Sequence, residues 1–332
     1  AVFQDKKIIS SQISTQTIHQ KYGGVVPEIA SREHEKLLND MVSDTLEVGG
    51  ISKNQLKGIA VTQGPGLAGA LITGVCFAKG LALGLGLPII GINHLEAHIF
   101  VNFLADPTLN FPFICLLVSG GHTQLWYVKN LNHYTLMGET RDDAVGEAFD
   151  KGARILGLGY PGGPEIEKLA EDGNTNAIKF PRAFMGKNNM EFSFSGLKTA
   201  LLYYMDNQKN VNLNDVAASY QSAIIEVLTT KLLWAMDKTN CDQCVIAGGV
   251  AANKSLRNSI ETNLYSKKVI FPEMAHCTDN AAMIAFLGEL YLSKKSLNFI
   301  RNLKFNFIGF ILTFHLRFIK KSFLFIPHHH LK

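Results

Sequence analysis

Acidic residues are missing from the last part of this chain. Residues 294–332 contain no Asp, Glu, Ala or Val, yet hold eight Lys and Arg and eight of the 21 phenylalanines. The overall formal charge of +4 therefore misrepresents the body, where 24 basic side chains face 28 acidic ones for a net of −4. Global charge gives no argument for a nucleic-acid binder, and any RNA contact has to use a local patch. Cysteine is scarce as well. The five present, Cys76, Cys115, Cys241, Cys244 and Cys277, make no disulfide framework. That excludes a small secreted scaffold and fits a reducing compartment. Cys241 and Cys244 form a lone C-x-x-C without the second pair a zinc ribbon uses.

Position 1 is Ala rather than Met, and no signal peptide is visible. Ala1 to Ile9 reads as the second half of a β-hairpin whose first strand is absent. In the tail, Phe305 to Leu316 is twelve residues without formal charge, short of the ~20 needed to span a bilayer. A basic amphipathic membrane anchor is one reading of this tail. The preferred one is AT-rich DNA read past a frameshift, which leaves His328, His329 and His330 with no metal-binding meaning. No stable membrane association is expected.

A chain of 332 residues is long for one core, so two lobes are the default expectation. Leu38, Val42 and Leu46 recur at helical spacing between Ser31, a candidate N-cap, and a Gly49-Gly50 stop. Gly58 to Thr62 reads as a strand, a small-residue helix follows from about Leu67 to Leu85, and Pro88 to Ile92 is a second strand. This strand–helix alternation is that of an α/β fold. Phe111 to Val118 is a continuous apolar run, hence a buried strand. It empties into Ser119-Gly-Gly-His-Thr123, and Gln124 to Val128 returns as its hairpin partner.

The most informative stretch is His94-Leu-Glu-Ala-His98. Its two imidazoles lie one helical turn apart on one face, the spacing of a two-histidine metal site. Glu96 sits at i+2, roughly 200° around the helix, away from that face. A zincin places its general-base Glu at i+1, so a protease is disfavoured. One histidine capping and the other packed is the alternative. A third ligand has to come from elsewhere. Asp279, in Cys277-Thr-Asp-Asn280, is the candidate, although it also fits a helix N-cap.

Two glycine pairs suggest a bound phosphate or nucleoside. A strand–Gly-Gly–strand hairpin flanked by Ser119 and Thr123 is neither a Rossmann nor a P-loop arrangement. It matches the phosphate hairpin of actin-like ATPases, although any tight hairpin can carry Gly-Gly. Val245 to Asn253 reads strand, Gly-Gly turn, helix. Asn253 either bonds a nucleoside or sits in the first helical turn.

Taken in order, these motifs resemble one family. They are joined by Tyr22-Gly-Gly-Val-Val-Pro-Glu28, Asp143-Ala-Val-Gly-Glu-Ala-Phe-Asp-Lys151, Tyr160-Pro-Gly-Gly-Pro164 and Phe192-Ser-Phe-Ser-Gly-Leu-Lys198. Over about residues 1 to 293 the chain resembles the tRNA adenosine threonylcarbamoyltransferases (TsaD), in their bacterial and organellar branch, once misnamed sialoglycoprotein endopeptidases. The resemblance implies a two-lobed actin-like (ASKHA) α/β fold. Its first lobe would be 1–110, completed by a last helix near 279–293, its second 111–278, with 294–332 outside the fold. It implies one divalent metal ion, Fe2+ or Zn2+, on His94, His98 and Asp279. Leu117, Val118, Ser119, Gly120, Gly121, Asp150, Gly163 and Asn253 would contact threonylcarbamoyl-AMP.

The implied reaction moves the threonylcarbamoyl group to the exocyclic amine of the adenosine 3′ of the anticodon, in tRNAs reading codons that begin with A. AMP is a good leaving group, so no protein nucleophile is expected. Ser119 and Thr123 read as hydrogen-bonding groups, and a Ser119–His122 relay is disfavoured. Implied partners are tRNA, a shorter actin-like paralogue (TsaB-type) and a P-loop ATPase (TsaE-type). The implied compartment is the cytoplasm, with a mitochondrial alternative. Family members begin with a further strand and an acidic, hydroxyl-rich loop, so the resemblance leads one to expect a chain lacking that strand and possessing an unpaired sheet edge. Rival readings are another actin-like phosphotransferase, an inactive truncated member, and a scaffold paralogue, which would lack the metal residues.

Overall fold

The computed structural model describes residues 1–294 except 23, 185, 187 and 188. The readings of the tail and its three histidines fall outside the described residues. The first strands, β1 (Val2–Gln4) and β2 (Lys7–Ser10), pair antiparallel. The opening stretch is thus a hairpin in itself, not a lone second half. Asp5 and Lys6 turn it with φ of 50° and 63°, the positive values that match a two-residue turn to strand twist. Glu289 accepts hydrogen bonds from the amides of Asp5 (2.9 Å) and Lys6 (3.2 Å).

Next come β3 (Ile59–Gly64) and β4 (Ile89–Asn93), a parallel pair joined by the helix Ala68–Leu85. That helix is long and apolar enough to cross a membrane. Because it links two hydrogen-bonded parallel strands, both its ends are fixed to one small sheet, and it serves as a crossover. It packs on the helix Pro27–Val48. The expected cap at Ser31 is corrected. The helix starts at Pro27, whose fixed φ suits a first helical position, and Ser31 Oγ instead donates to Pro27 O (3.0 Å).

The main sheet holds β5 (Phe113–Val118), β6 (Thr123–Asn130), β7 (His133–Glu139), β8 (Gln243–Ala247) and β9 (Lys268–Ile270). Its order is β7-β6-β5-β8-β9, antiparallel on the β6 side of β5 and parallel on the β8 side. The unbroken apolar run of β5 follows from burial on both faces. Ile114, Leu116 and Val118 join one core with Phe149, Tyr220 and Leu228. Phe113, Cys115 and Leu117 join another with Ile92, Phe100 and Leu287. The 27-residue helix Leu213–Thr239 lies in the first core. The helix Ala281–Lys294 packs on β1, β3, β4 and the helix His94–Phe100. Cys241 and Cys244 are buried free thiols.

Candidate active site

β4 delivers the chain directly into the helix His94–Phe100, whose start is capped by Asn93. Asn93 Oδ1 accepts from the amides of Leu95 (2.9 Å) and Glu96 (3.1 Å). The cap settles where the helix begins, and so which face the two histidines share. Their ring centroids are 4.8 Å apart at an interplanar angle of 85°.

Asp279 arrives 181 residues later in the chain. Its Oδ1 lies 3.3 Å from His94 Nε2 and 3.1 Å from His98 Nε2. Asp279 is not the helix cap; Asn280 is, with Oδ1 accepting from the Met283 amide at 3.0 Å. That division of labour leaves the Asp279 carboxylate to the histidines. Hydrogen bonds from the two imidazoles hold its carboxyl well below the usual carboxylate range, against the opposing effect of desolvation.

One donor atom from each of the three residues lies within 4.8 Å of the others. Burial is graded: the His98 side chain is 3% exposed and that of Asp279 is 79% exposed, so the cluster is walled on one side and open on the other. Among the described residues, His98 Nδ1 is buried without a hydrogen-bond partner, which leaves this ring incompletely satisfied by them. Two imidazole nitrogens and one carboxylate with an open side are a donor set that fits zinc or ferrous iron.

Glu96 takes no part in this cluster. It is buried, and its carboxylate accepts from the Tyr291 hydroxyl on the last helix. Burial raises its pKa, with the hydroxyls of Tyr291 and Tyr134 opposing. The zincin geometry is therefore absent. His122 lies within the electrostatic reach of His94, His98 and Asp279; burial, then the two histidines, lower its pKa. Ser119 Oγ accepts from the His122 backbone amide at 3.1 Å, while Ser119 N donates to His122 O at 2.8 Å. Ser119 thus closes the Gly120-Gly121 turn through the backbone of His122.

Several elements crowd this turn. A Cβ on Gly146, at the start of the helix Val145–Ile155, would sit 2.8 Å from both Gly120 Cα and Ser119 O. Gly248, at φ 91°, would place one 2.4 Å from Val118 O. Both glycine pairs named in the sequence therefore meet at the end of β5. Gly120 and Gly121 themselves have open space on their Cβ sides. Leu117 and Val118 are fully buried. The Thr123 hydroxyl is buried and accepts from the Val145 amide at 2.8 Å.

Asp150 Oδ1 accepts from the Gly162 amide at 2.7 Å, which fastens the start of the helix Gly162–Ala170 onto the helix Val145–Ile155. Burial raises the Asp150 pKa, with the Gly162 bond opposing. Gly163 faces open space. Asn253 is buried and caps the helix Lys254–Asn263: Oδ1 accepts from the Leu256 amide and Nδ2 donates to Gln221 Oε1, each at 2.8 Å. It precedes the helix rather than lying in its first turn.

Three residues that hold the structure together escaped the sequence reading. Asp142 accepts from the Phe194 and Ser195 amides and from the hydroxyls of Ser193 and Ser195, docking one motif on another. The paired serines before a helix were the available signal. Asn280 is the second. The third is Lys231, wholly buried, whose Nζ donates to the carbonyls of Phe184 (2.9 Å), Asn189 (3.1 Å) and Glu191 (2.5 Å).

T. kodakarensis HypF matches with a TM-score of 0.57 at 14% identity, over 78% of this chain and 43% of that one. The phosphate- and nucleotide-bound form of full-length HypF matches at 0.56 and 12%, over 77% and 41%. The chain thus spans less than half of each HypF chain, and the likeness speaks for fold alone: an actin-like (ASKHA) α/β protein. A family model described as tRNA N6-adenosine threonylcarbamoyltransferase (TsaD) matches residues 7–286. Proteins of that name from Clostridium perfringens (strain SM101) and Desulfitobacterium hafniense (strain Y51) are 49% and 51% identical. They match over 91% and 86% of this chain and 93% and 85% of their own. The chain belongs to the tRNA N6-adenosine threonylcarbamoyltransferase family.

Proposed function

We propose that this chain transfers the threonylcarbamoyl group of threonylcarbamoyl-AMP to the exocyclic amine of the adenosine 3′ of the anticodon, in tRNAs reading codons that begin with A. Family membership makes it a threonylcarbamoyltransferase of t6A biosynthesis. The observation that carries the finer reading is the convergence of His94, His98 and Asp279 beside the Gly120-Gly121 turn.

In the reaction the amine nitrogen attacks the carbonyl carbon of the mixed anhydride. The bond from that carbon to the phosphate oxygen breaks, AMP leaves with the electron pair, and the amine proton passes to solvent. What the protein contributes is alignment and a field suited to the charge developing on the carbonyl oxygen. His94, His98 and Asp279 would hold a divalent iron or zinc ion, which would supply Lewis acidity toward a substrate oxygen. The amides of Gly120 and Gly121 receive the phosphate, and the Gly146 and Gly248 contacts hold that turn in place. We assign Asp150, fastened through Gly162, to the nucleoside end together with Gly163. Asn253 acts through the helix start it caps. Ser119 and Thr123, whose hydroxyls serve backbone amides, are not nucleophiles.

The proposed partners are tRNA, a shorter actin-like paralogue and a P-loop ATPase, in the cytoplasm. The crossover helix, apolar along its length yet mostly unburied, supports a protein partner. The test is incorporation of labelled threonine into tRNA, given bicarbonate, ATP, the synthase that makes the adenylate, and the partner proteins. Label that depends on this chain and is lost with His94→Ala supports the reading. Its absence with folded, metal-loaded protein sends the assignment to a phosphotransferase.

A further inference from the structure

We propose that Glu96 is a positioning residue for the metal site, fixing the helix that bears His94 and His98 to the helix that follows Asp279. The proposal rests on the metal reading above. A carboxyl group in the middle of H-L-E-A-H, 7% exposed, is costly to bury and contributes nothing to the ligand cluster. Its partners explain its presence. Glu96 Oε1 accepts from the hydroxyl of Tyr291, near the far end of the helix Ala281–Lys294. The same hydroxyl lies 2.7 Å from Asn132 Oδ1, in the turn between β6 and β7. Tyr134 of β7 lies within the electrostatic reach of Glu96.

Three separate elements are thereby tied at one point behind the histidine helix. Glu96 lies two residues from each histidine, so its tether acts on the face opposite both rings. Rotation of this short helix about its axis would swing both Nε2 atoms away from Asp279. Apolar packing between the two helices, through residues such as Ile99 and Leu287, resists separation but is weakly directional. The hydrogen-bonded carboxyl fixes the rotation. Groups behind a metal site that orient its ligands in this way change metal affinity by about 10–100-fold when removed.

The experiment titrates Co2+ into the metal-free full chain and follows the visible ligand-field bands. Wild type, His94→Ala, Glu96→Ala, Glu96→Gln and Tyr291→Phe are compared, with circular dichroism on each. The expected result is binding by wild type, none by His94→Ala, and weakening by about 10–100-fold in Glu96→Ala and Tyr291→Phe. At saturating Co2+ these two also show altered bands, which a mere loss of stability would not produce. Glu96→Gln, which keeps an acceptor in place, restores most of the affinity. If Glu96→Ala fails to fold, Tyr291→Phe decides. Wild-type affinity and spectrum in Glu96→Ala and Tyr291→Phe, beside a dead His94→Ala, overturn the brace and leave the metal site standing. A wild type that binds no Co2+ overturns both.

Discussion

Asp279 Oδ1 stands 3.1 Å from His98 Nε2 although 181 positions separate the two residues. The helix of His94 and His98 and the turn before the last helix are brought together by the core that contains Ile92, Ala97, Met283 and Leu287. Replacing Asp279 with Ala removes the only carboxylate of the triad. Metal content measured by mass spectrometry should fall from about one ion per chain to near none, with the circular dichroism spectrum kept.

Gly146 and Gly163 make a matched pair. Gly146→Ala drives a methyl into the backbone of Ser119 and Gly120, and should cost about 1–3 kcal/mol in urea unfolding while lowering transfer activity. Gly163→Ala meets open space. It should leave stability nearly unchanged and raise KM for the adenylate if that space holds the ligand.

Asn253→Ala should cost about 0.5–2 kcal/mol through the lost cap, with a further loss from the stranded Gln221. Asn253→Asp keeps the acceptor for Leu256 and should recover most of the cap contribution. Thermal melts of the two variants check this.

Lys231 gives a pH test. Its three donors meet three carbonyls, so Lys231→Met orphans buried acceptors and should cost roughly 2–4 kcal/mol at pH 7. Burial also pulls the Lys231 pKa down to about 8 from 10.5. Between these values the unfolded chain holds a proton that the native chain has given up, so stability rises with pH there. The penalty of the buried charge is full below pH 8 and relieved toward 10.5. The advantage of wild type over Lys231→Met should therefore widen from pH 7.5 to 9.5 in urea melts.

The legible parts of the fold were those with strong local signals. β3, β4, β5 and β6 fall within about two residues of expectation, because apolar runs and a Gly-Gly hairpin mark them. The opening hairpin was read as one strand because its turn is Asp5-Lys6, with no glycine to mark it. In the sequence Asp279 reads both as the third metal ligand and as a possible helix cap, because Asp and Asn cap equally well. Only the position of the histidines in space decides that Asn280 caps and Asp279 faces the cluster. Lys231 left no trace, since a mid-helix lysine ordinarily faces water. The carbonyls that receive it come from a segment 40 or more residues away.

The central claim is that His94, His98 and Asp279 support acyl transfer to tRNA. The most direct measurement is single-turnover transfer from isolated threonylcarbamoyl-AMP to tRNA, comparing metal-loaded wild type with His98→Ala in the presence of the partner proteins. The account predicts t6A formation with AMP release in wild type, and a rate at least about 100-fold lower in His98→Ala, equivalent to some 2.7 kcal/mol of transition-state stabilisation. Equal rates in the two proteins, both folded, would contradict it.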